Sequence, residues 1–334
     1  MGNRNIPGRH VLGLVVGVAL SLTAVTAAHA FNFADFISRT AGSQSLVKQV
    51  MVNGIDISKN PLGKATGFVV QIEARSRQGS KEFHQCLGVA VLADVVLGAG
   101  HCLAKARHVT VKFIRTVTPL NFETIEAKDF AVRIPASGAN MTMHSDVDMA
   151  FAHEHHDFAV ILLKKPSTIA APIPVVPMGF KVTGGGYPGP DFHAFGYRRN
   201  ESFVIQKQLD YTTFKFPIRI ATADHWFRAR TTADELICEG DSGAPVTVSG
   251  EDVGIRGRNT HFLVGFLVSA STETKELKNF EAALKQWGKV EDIPRCGHSF
   301  TFMDVRYELD WIHERLKEMD PANPRLIPVH PAGT

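Results

Sequence analysis

The stretch CEGDSGAP, Cys238 to Pro245, places one serine, Ser242, between an acid and a glycine. Asp, Ser and Gly are ordinary turn residues, so the stretch alone is typical of a tight turn. Gly240 and Gly243 allow unusual backbone torsions on both sides of the acid–serine pair. Such torsions would also let neighbouring amides form one concavity suited to an oxyanion. Whether Ser242 is a turn residue or a nucleophile therefore depends on the rest of the chain.

The composition is that of a globular protein. Of its 334 residues, 44% are hydrophobic and 21% are charged, which argues against a disordered or fibrous chain. The net charge is +3, and two of the positive charges, Arg4 and Arg9, lie in the first thirty residues, which hold no acid. The remainder is thus close to neutral. Because nucleic-acid binding needs a concentrated basic face, we expect no nucleic-acid partner.

Residues 1–30 read as a signal peptide. A basic start is followed by an apolar run, Val11 to Val25, and by the small-residue sequence AAHA that ends at Ala30. The apolar run is shorter than the roughly 20 residues of a membrane span. We therefore expect cleavage after Ala30 rather than a membrane anchor. The mature protein would be secreted or periplasmic, with no membrane association, and residues 31–50 would form a pro-segment or lead.

The chain has four cysteines, Cys86, Cys102, Cys238 and Cys296. An even number in an oxidising compartment predicts two disulfides. The spacing permits more than one pairing and does not choose among them. No CxxC pair is present, so the usual spacing of a structural zinc site is missing.

Short apolar runs broken by turn residues begin at about Gly67. They are GFVVQIEA (67–74), HVTVKF (108–113), FAVILL (158–163) and HFLVGFLVSA (261–270). The longer run at 86–100 predicts two strands that separate near Asp94. This pattern favours an all-β sandwich or barrel. The Pro- and Gly-rich stretch 183–190 predicts a surface loop or a crossing between two halves.

Helical periodicity is clear near the end of the chain. In VRYELDWIHERLKEMD, residues 305–320, an apolar stripe is formed by Leu309, Ile312 and Leu316. That spacing predicts a terminal helix with one buried face. The proline-rich tail 321–334 cannot continue it.

A nucleophilic serine needs a base, and the base needs a carboxylate that orients it. His101, in VVLGAGHC, follows an apolar strand, and small residues before it leave room for an imidazole. Its other interpretation is a half-buried structural histidine.

Asp157, in HHDFAVILLKKP, stands directly before a buried apolar run. A buried carboxylate usually has a partner that offsets its desolvation. A solvated loop acid is the alternative interpretation. Asp146 and Asp148 are weaker candidates because shorter apolar segments follow them.

Taken together, these motifs resemble the chymotrypsin/trypsin family of serine proteases. The matching pieces are AGHC (99–102), HDFAVILL (156–163), GDSGAP (240–245), GFLVSAS (265–271) and DWI (310–312). They occur in the family's order of His, Asp and Ser, with similar spacings. The resemblance spans roughly Met51 to Met319.

The resemblance implies catalytic roles and a fold. Ser242 would be the nucleophile, His101 the general base, Asp157 the residue that orients it, and the amides of Gly240 and Ser242 the oxyanion hole. The implied fold is all-β, with two antiparallel six-stranded β-barrels and a C-terminal α-helix. In the domain at 51–320, the first barrel would cover about 51–170, the second about 171–305, and the helix 305–320.

The resemblance also implies how the cysteines pair and where substrate binds. Cys86 would bridge to Cys102, and Cys238 to Cys296. The substrate backbone would pair as an added strand along Ser269, Ala270 and Ser271.

The base of the specificity pocket would be Leu236, six residues before the serine. An apolar residue there predicts a preference for small or medium apolar side chains rather than Lys or Arg. Ser271 stands where many members have glycine, and Phe300 or Phe302 would fill part of the pocket.

In the animal members of the family, a new N-terminus pairs with the acid before the serine. Here Val50 or Met51 would be that terminus and Asp241 its partner. Lys48 lies too early for a trypsin-like cut to produce either end. The sequence leaves open whether the protein is made as a zymogen.

The histidine-rich run HEHHD, residues 153–157, lacks metal-ligand spacing, so we expect a solvated loop and no metal. No cofactor is expected either. The expected partners are a protein or peptide substrate and, as a second class, a protein inhibitor. We expect the protein to be a monomer.

These observations predict an exported serine endopeptidase that works through an acyl-enzyme intermediate. The alternative is a catalytically inactive protease-like binding module, since a fold does not guarantee activity. All three triad residues are present, which favours activity. An α/β-hydrolase would need GxSxG and the order Ser, Asp, His, and here Ala244 replaces the last glycine.

Overall fold

The computed structural model describes residues 55–56, 67–78, 80, 84–117, 120–134, 156–182, 190–199, 205–214, 218–219, 225–231, 237–238, 240–251, 253, 261–271, 296–297 and 299–331. Several predictions from the sequence fall outside these residues. They are the signal peptide, the segment 31–50 with Val50 and Met51, the acids Asp146 and Asp148, the run 153–155, nearly all of the loop 183–190, and Leu236. Within the described residues, no helix has the length and apolar character needed to cross a membrane.

The first half of the chain forms a closed barrel. Its strands, with one short strand before them, are β1 (Ile55–Asp56), β2 (Val69–Arg75), β3 (His84–Leu92), β4 (Val95–Ala99), β5 (His108–Val117), β6 (Leu120–Arg133) and β7 (Phe158–Leu163). Strands β2 to β7 close in the order β2-β3-β4-β7-β6-β5, and all of their pairings are antiparallel. A turn at Ala93 and Asp94 separates β3 from β4, as the sequence predicts.

The second half forms a larger curled sheet. Its strands are β8 (Phe192–Arg199), β9 (Ile205–Phe214), β10 (Ile218–Arg219), β11 (Trp226–Arg230), β12 (Ile237–Cys238), β13 (Pro245–Ser249), β14 (His261–Ser271), β15 (Cys296–Gly297) and β16 (Ser299–Asp304). Eight strands pair in the order β1-β9-β8-β13-β14-β16-β11-β10, and β12 pairs separately with β15. The six inner strands correspond to the predicted second barrel. The two-residue strands β1 and β10 extend its edges.

The terminal helix is confirmed. A 3-10 turn at Val305–Glu308 leads into α1 (Leu309–Met319). The buried face of α1 consists of Leu309, Ile312 and Leu316, the stripe expected from the sequence. Asp304 starts this segment by accepting a hydrogen bond from the amide of Arg306.

The two β units contact each other beside the predicted catalytic residues. The ring of Phe158, the first residue of β7, lies 4.6 Å from that of Phe266 in β14. The amide of Leu87 in β3 donates to the carbonyl of Ser242 at 2.9 Å. The all-β fold class is confirmed, and its two units meet where the His, Asp and Ser segments lie.

Candidate active site

His101 and Asp157 are brought together by the pairing of β4 with β7. Ala99, at the end of β4, pairs with Phe158, at the start of β7. His101 lies two residues beyond Ala99 in a 3-10 turn, and Asp157 lies one residue before Phe158. The carboxylate accepts twice from the histidine. Nδ1 of His101 lies 2.7 Å from Oδ2, and its backbone amide lies 2.6 Å from Oδ1.

The turn that carries His101 needs a glycine at position 100. A Cβ on Gly100 would lie 2.7 Å from the carbonyl oxygen and 2.9 Å from the amide nitrogen of Phe158. Both are backbone atoms, which cannot move away as the end of a side chain can. Gly100 therefore lets the histidine turn approach the start of β7 closely.

The pKa of His101 is set by two opposing effects. Burial lowers it, but the charge of Asp157 and the hydrogen bond to it raise the pKa, and together they outweigh burial. The result is a pKa above the ordinary value of 6.5. The Asp157 side chain is 1% exposed, whereas 34% of the His101 side chain remains open to solvent. The buried carboxylate thus orients the imidazole, and part of the ring remains accessible to solvent.

A disulfide links the histidine turn to a neighbouring strand. Cys102, next to His101, is bonded to Cys86 in β3. Its Sγ atom lies 3.6 Å from Nε2 of His101. The bridge therefore ties the turn to the strand whose Leu87 contacts the serine loop.

The serine loop is a tight turn held against both β units. Gly240 and Gly243 adopt positive φ values of 96° and 83°, a region that favours glycine. The amide of Gly243 donates to the carbonyl of Leu267 at 2.7 Å. A Cβ at Gly243 would lie only 2.1 Å from the carbonyl oxygen of Leu87. Asp241 is 2% exposed, so the acid beside the serine is buried.

The hydroxyl of Ser242 is turned toward β14. Its Oγ donates to the carbonyl oxygen of Val268 at 3.3 Å. A long hydrogen bond of this kind has a net worth of about 1 kcal/mol or less. Because this bond is weak, a ligand that bonds the hydroxyl more strongly can displace it from this orientation.

Residues Ser269, Ala270 and Ser271 form the end of β14. They pair with β16, from Ser269 opposite Thr301 to Ser271 opposite Ser299. On the other side of β14, the pairing with β13 ends at Phe266, opposite Pro245. In the described part of the chain, the last residues of β14 thus extend past β13 on the side of the serine loop.

The remaining predicted site residues are only partly described. Cys238 and Cys296 face each other in the register of β12 and β15. Phe300 and Phe302 are fully buried. Their rings pack against Phe214 and Phe227, respectively, in the core of the second sheet.

One cluster next to Asp157 is not predicted from the sequence. His156, the residue before Asp157, contacts the buried carboxylate of Glu308, which also accepts from Arg133 at 2.7 Å. His225 stacks on His156 with ring centroids 5.5 Å apart. The histidine-rich run was a signal for this cluster, but its partners lie far along the chain.

One family model and two solved structures are similar to this chain. The family model described as Trypsin matches residues 58–278. Among solved structures, the chain is similar to the scabies mite inactivated protease paralogue S-D1, at 15% identity and a TM-score of 0.49, with 83% of this chain and 100% of that chain covered. It is also similar to the scabies mite inactivated protease paralogue S-I1, at 15% identity and a TM-score of 0.49, with 80% and 98% covered. No curated protein matches the chain. Because the family model covers well over half of it, this chain belongs to the trypsin family and carries a serine protease-like domain.

Proposed function

We propose that the protein is an exported serine endopeptidase that hydrolyses peptide bonds through an acyl-enzyme intermediate. The observation that carries this proposal is the double contact between Asp157 and His101, through Nδ1 and through the backbone amide. A buried carboxylate that holds Nδ1–H leaves Nε2 as the basic nitrogen of the ring.

The proposed chemistry gives each of these residues a role. Nε2 of His101 takes the proton of Ser242 as Oγ forms a bond to the substrate carbonyl carbon. The amides of Gly240 and Ser242 meet the developing oxyanion. His101 then gives its proton to the leaving amine as the C–N bond breaks. Water releases the acyl group in the same way, with His101 again the base.

Substrate binding is proposed to use the end of β14. A peptide would add as an antiparallel strand along Ser269, Ala270 and Ser271, because the neighbouring strand β13 ends earlier. Leu236 would form the base of the pocket and favour small or medium apolar side chains.

The disulfide between Cys86 and Cys102 supports a secreted or periplasmic location, since such bonds persist in oxidising compartments.

Reaction with a fluorophosphonate probe tests the activity. We expect the mature, oxidised protein to be labelled and the Ser242→Ala variant not to be, because the probe reacts only with an activated serine. A peptide library then tests specificity, and we expect cleavage after small or medium apolar residues. Strong cleavage after Arg or Lys would contradict the proposed pocket while leaving the catalytic proposal intact.

The alternative function is a catalytically inactive binding module on the same scaffold. The contact between Ser242 Oγ and the carbonyl of Val268 favours it, because this orientation directs the hydroxyl toward β14. The labelling experiment separates the two functions. A folded, oxidised protein that is not labelled would support the binding module.

A further inference from the structure

Three ligating side chains converge where the two β units meet, outside the His101–Asp157 pair. His156, His225 and Glu308 each offer one ligand atom, and these atoms lie within 4.8 Å of one another. We call them the inter-barrel cluster. Nothing in the proposed catalytic chemistry uses these three side chains.

Each member of the cluster lies within or next to a regular element. His156 stands two residues before β7. His225 directly precedes β11, and its carbonyl accepts from the amide of Asp304 at 2.9 Å. Glu308 ends the 3-10 turn that follows β16, the neighbour of β11. The pairing of β11 with β16 therefore fixes His225 and Glu308 relative to each other.

The geometry suits a shared ligand. The imidazole planes of His156 and His225 are inclined by only 10°. The side chain of Glu308 is fully buried, and one of its oxygens, Oε2, accepts from Arg133 at 2.7 Å. Its other oxygen, Oε1, meets Nδ1 of His156. The His156 side chain is 28% exposed, which gives the cluster an opening to solvent.

We propose that the inter-barrel cluster binds a divalent transition-metal ion of the zinc class. Two imidazoles and one carboxylate, with a fourth position open to water, form a common zinc ligand set. Imidazole nitrogens make calcium and magnesium poor candidates, since both prefer oxygen ligands. Glu308 Oε1 would bind the ion, while Arg133 keeps Oε2 and holds the carboxylate in place as an outer-shell partner.

The ion would replace the direct contact between His156 and Glu308. Its ligands come from both halves of the chain, since His156 precedes β7 of the first barrel, whereas His225 and Glu308 lie next to β11 and β16 of the second sheet. A bound ion would therefore link the two β units, directly beside Asp157. The competing interpretation is an ion-pair group in which Arg133, Glu308 and His156 only offset one another's burial.

Metal binding to the chelator-treated mature protein tests the proposal. We expect titration with Zn²⁺ to give about one tight equivalent and to raise the unfolding temperature. Co²⁺, used as a spectroscopic probe, should give visible absorption of a low-coordinate site with nitrogen and oxygen ligands. Both measurements are independent of proteolytic activity.

Variants assign the binding to the cluster. His225→Gln should weaken Zn²⁺ binding by at least about 10–100-fold, the cost of losing even an outer-shell partner, and should abolish the Co²⁺ spectrum. His156→Gln provides a second test if His225→Gln does not fold. Two controls should keep the site: His84→Gln, which alters an exposed histidine of β3, and His101→Gln, which removes the imidazole of the proposed triad.

Specific outcomes would overturn the proposal. One is an affinity for Zn²⁺ that is no higher in the wild-type protein than in the His225→Gln variant. Another is tight binding that is lost in His101→Gln but retained in the cluster variants, which would place the ion at the triad. Fluorophosphonate labelling of the metal-free protein separates failure of this inference from failure of the proposed protease activity.

Discussion

At the scale of single residues, Asp157 determines how His101 can act. Its two carboxylate oxygens contact the ring and the backbone of the same residue, so the carboxylate sets both ring orientation and turn position. Because Asp157 is almost completely buried, its charge acts on the imidazole with little solvent screening. This is why the pKa of His101 rises although burial alone would lower it.

For the proposed protease, the raised pKa of His101 predicts the acid limb of the pH–rate profile. We expect kcat/KM to fall as the pH drops through a pKa above 6.5, since only neutral His101 can accept the serine proton. Asp157→Asn should move that pKa downward, because burial then acts without the opposing charge. It should also lower kcat by about 10⁴-fold, as expected when the wrong tautomer is favoured.

The prediction is tested by measuring kcat/KM against pH for the wild-type protein and Asp157→Asn with one peptide substrate. The matched control is Asp310→Asn, which alters an exposed acid in α1 and should leave the limb unchanged. An acid limb that is the same with and without the Asp157 charge would contradict this account of His101.

Gly243 is the second residue whose role can be tested alone. A Cβ there would lie 2.1 Å from the carbonyl oxygen of Leu87, at a φ of +83° that other residues rarely adopt. Gly243→Ala should therefore destabilise the protein by more than about 2 kcal/mol and displace Ser242, so that probe labelling is lost. Urea unfolding and fluorophosphonate labelling report the two effects.

Gly179→Ala is the control for that substitution. A Cβ at Gly179 would have no atom within 4 Å, so stability and labelling should stay near wild type. If Gly243→Ala were as stable and as well labelled as Gly179→Ala, the close packing of the serine loop on β3 would be refuted.

At the scale of elements, the contact between the histidine turn and β7 aligns the site. Strands β4 and β7 pair along their whole shared length, ending at Ala99 and Phe158. The two catalytic candidates are attached directly beyond this pair. Their separation is thus set by the backbone pairing of β4 with β7.

Two glycines of this segment give a matched pair of substitutions. A Cβ at Gly100 would meet backbone atoms of Phe158 at 2.7 Å and 2.9 Å, whereas one at Gly98 would meet the flexible end of Ile72 at 3.0 Å. We expect Gly100→Ala to separate the turn from β7 and reduce kcat/KM by at least about 10²-fold. Gly98→Ala should change it little. Equal activity of the two variants would show that the close approach at Gly100 does not position His101.

At the scale of the whole molecule, a buried histidine makes stability depend on pH. His261, the first residue of β14, is 4% exposed. Its Nδ1 lies 3.0 Å from Oγ1 of Thr247. Burial, with a smaller contribution from the nearby His193, lowers the pKa of His261 to about 4. The unfolded chain binds this proton at a pKa of 6.5, so between these values the unfolded state carries more protons.

Stability from His261 should therefore be fully present above about pH 6.5 and be lost as the pH falls toward about 4. The loss amounts to about 3 kcal/mol. His261→Asn cannot titrate and keeps an acceptor for Thr247, so its stability should fall less over this range. Urea unfolding at several pH values measures the difference, with His84→Asn as the exposed control. A wild-type slope no steeper than that of His261→Asn would contradict the prediction.

Much of the fold could be predicted because its information is local. The run FAVILL is β7, and the stripe of Leu309, Ile312 and Leu316 is the buried face of α1. Burial of each segment is encoded in its own side chains, so periodicity finds it. The family motifs add the order of His101, Asp157 and Ser242, since each is a short contiguous pattern.

Other features depend on contacts between distant segments, which no local pattern encodes. Strand β1 precedes the first barrel in sequence yet pairs with β9 of the second sheet. His156 meets Glu308 across 152 positions of sequence. The sequence by itself determined the strands, the helix and the identity of the catalytic candidates, because these follow from nearby residues. Only the tertiary structure decided the two hydrogen bonds between Asp157 and His101, the orientation of Ser242 and the inter-barrel cluster. These depend on contacts between segments that are far apart in the sequence.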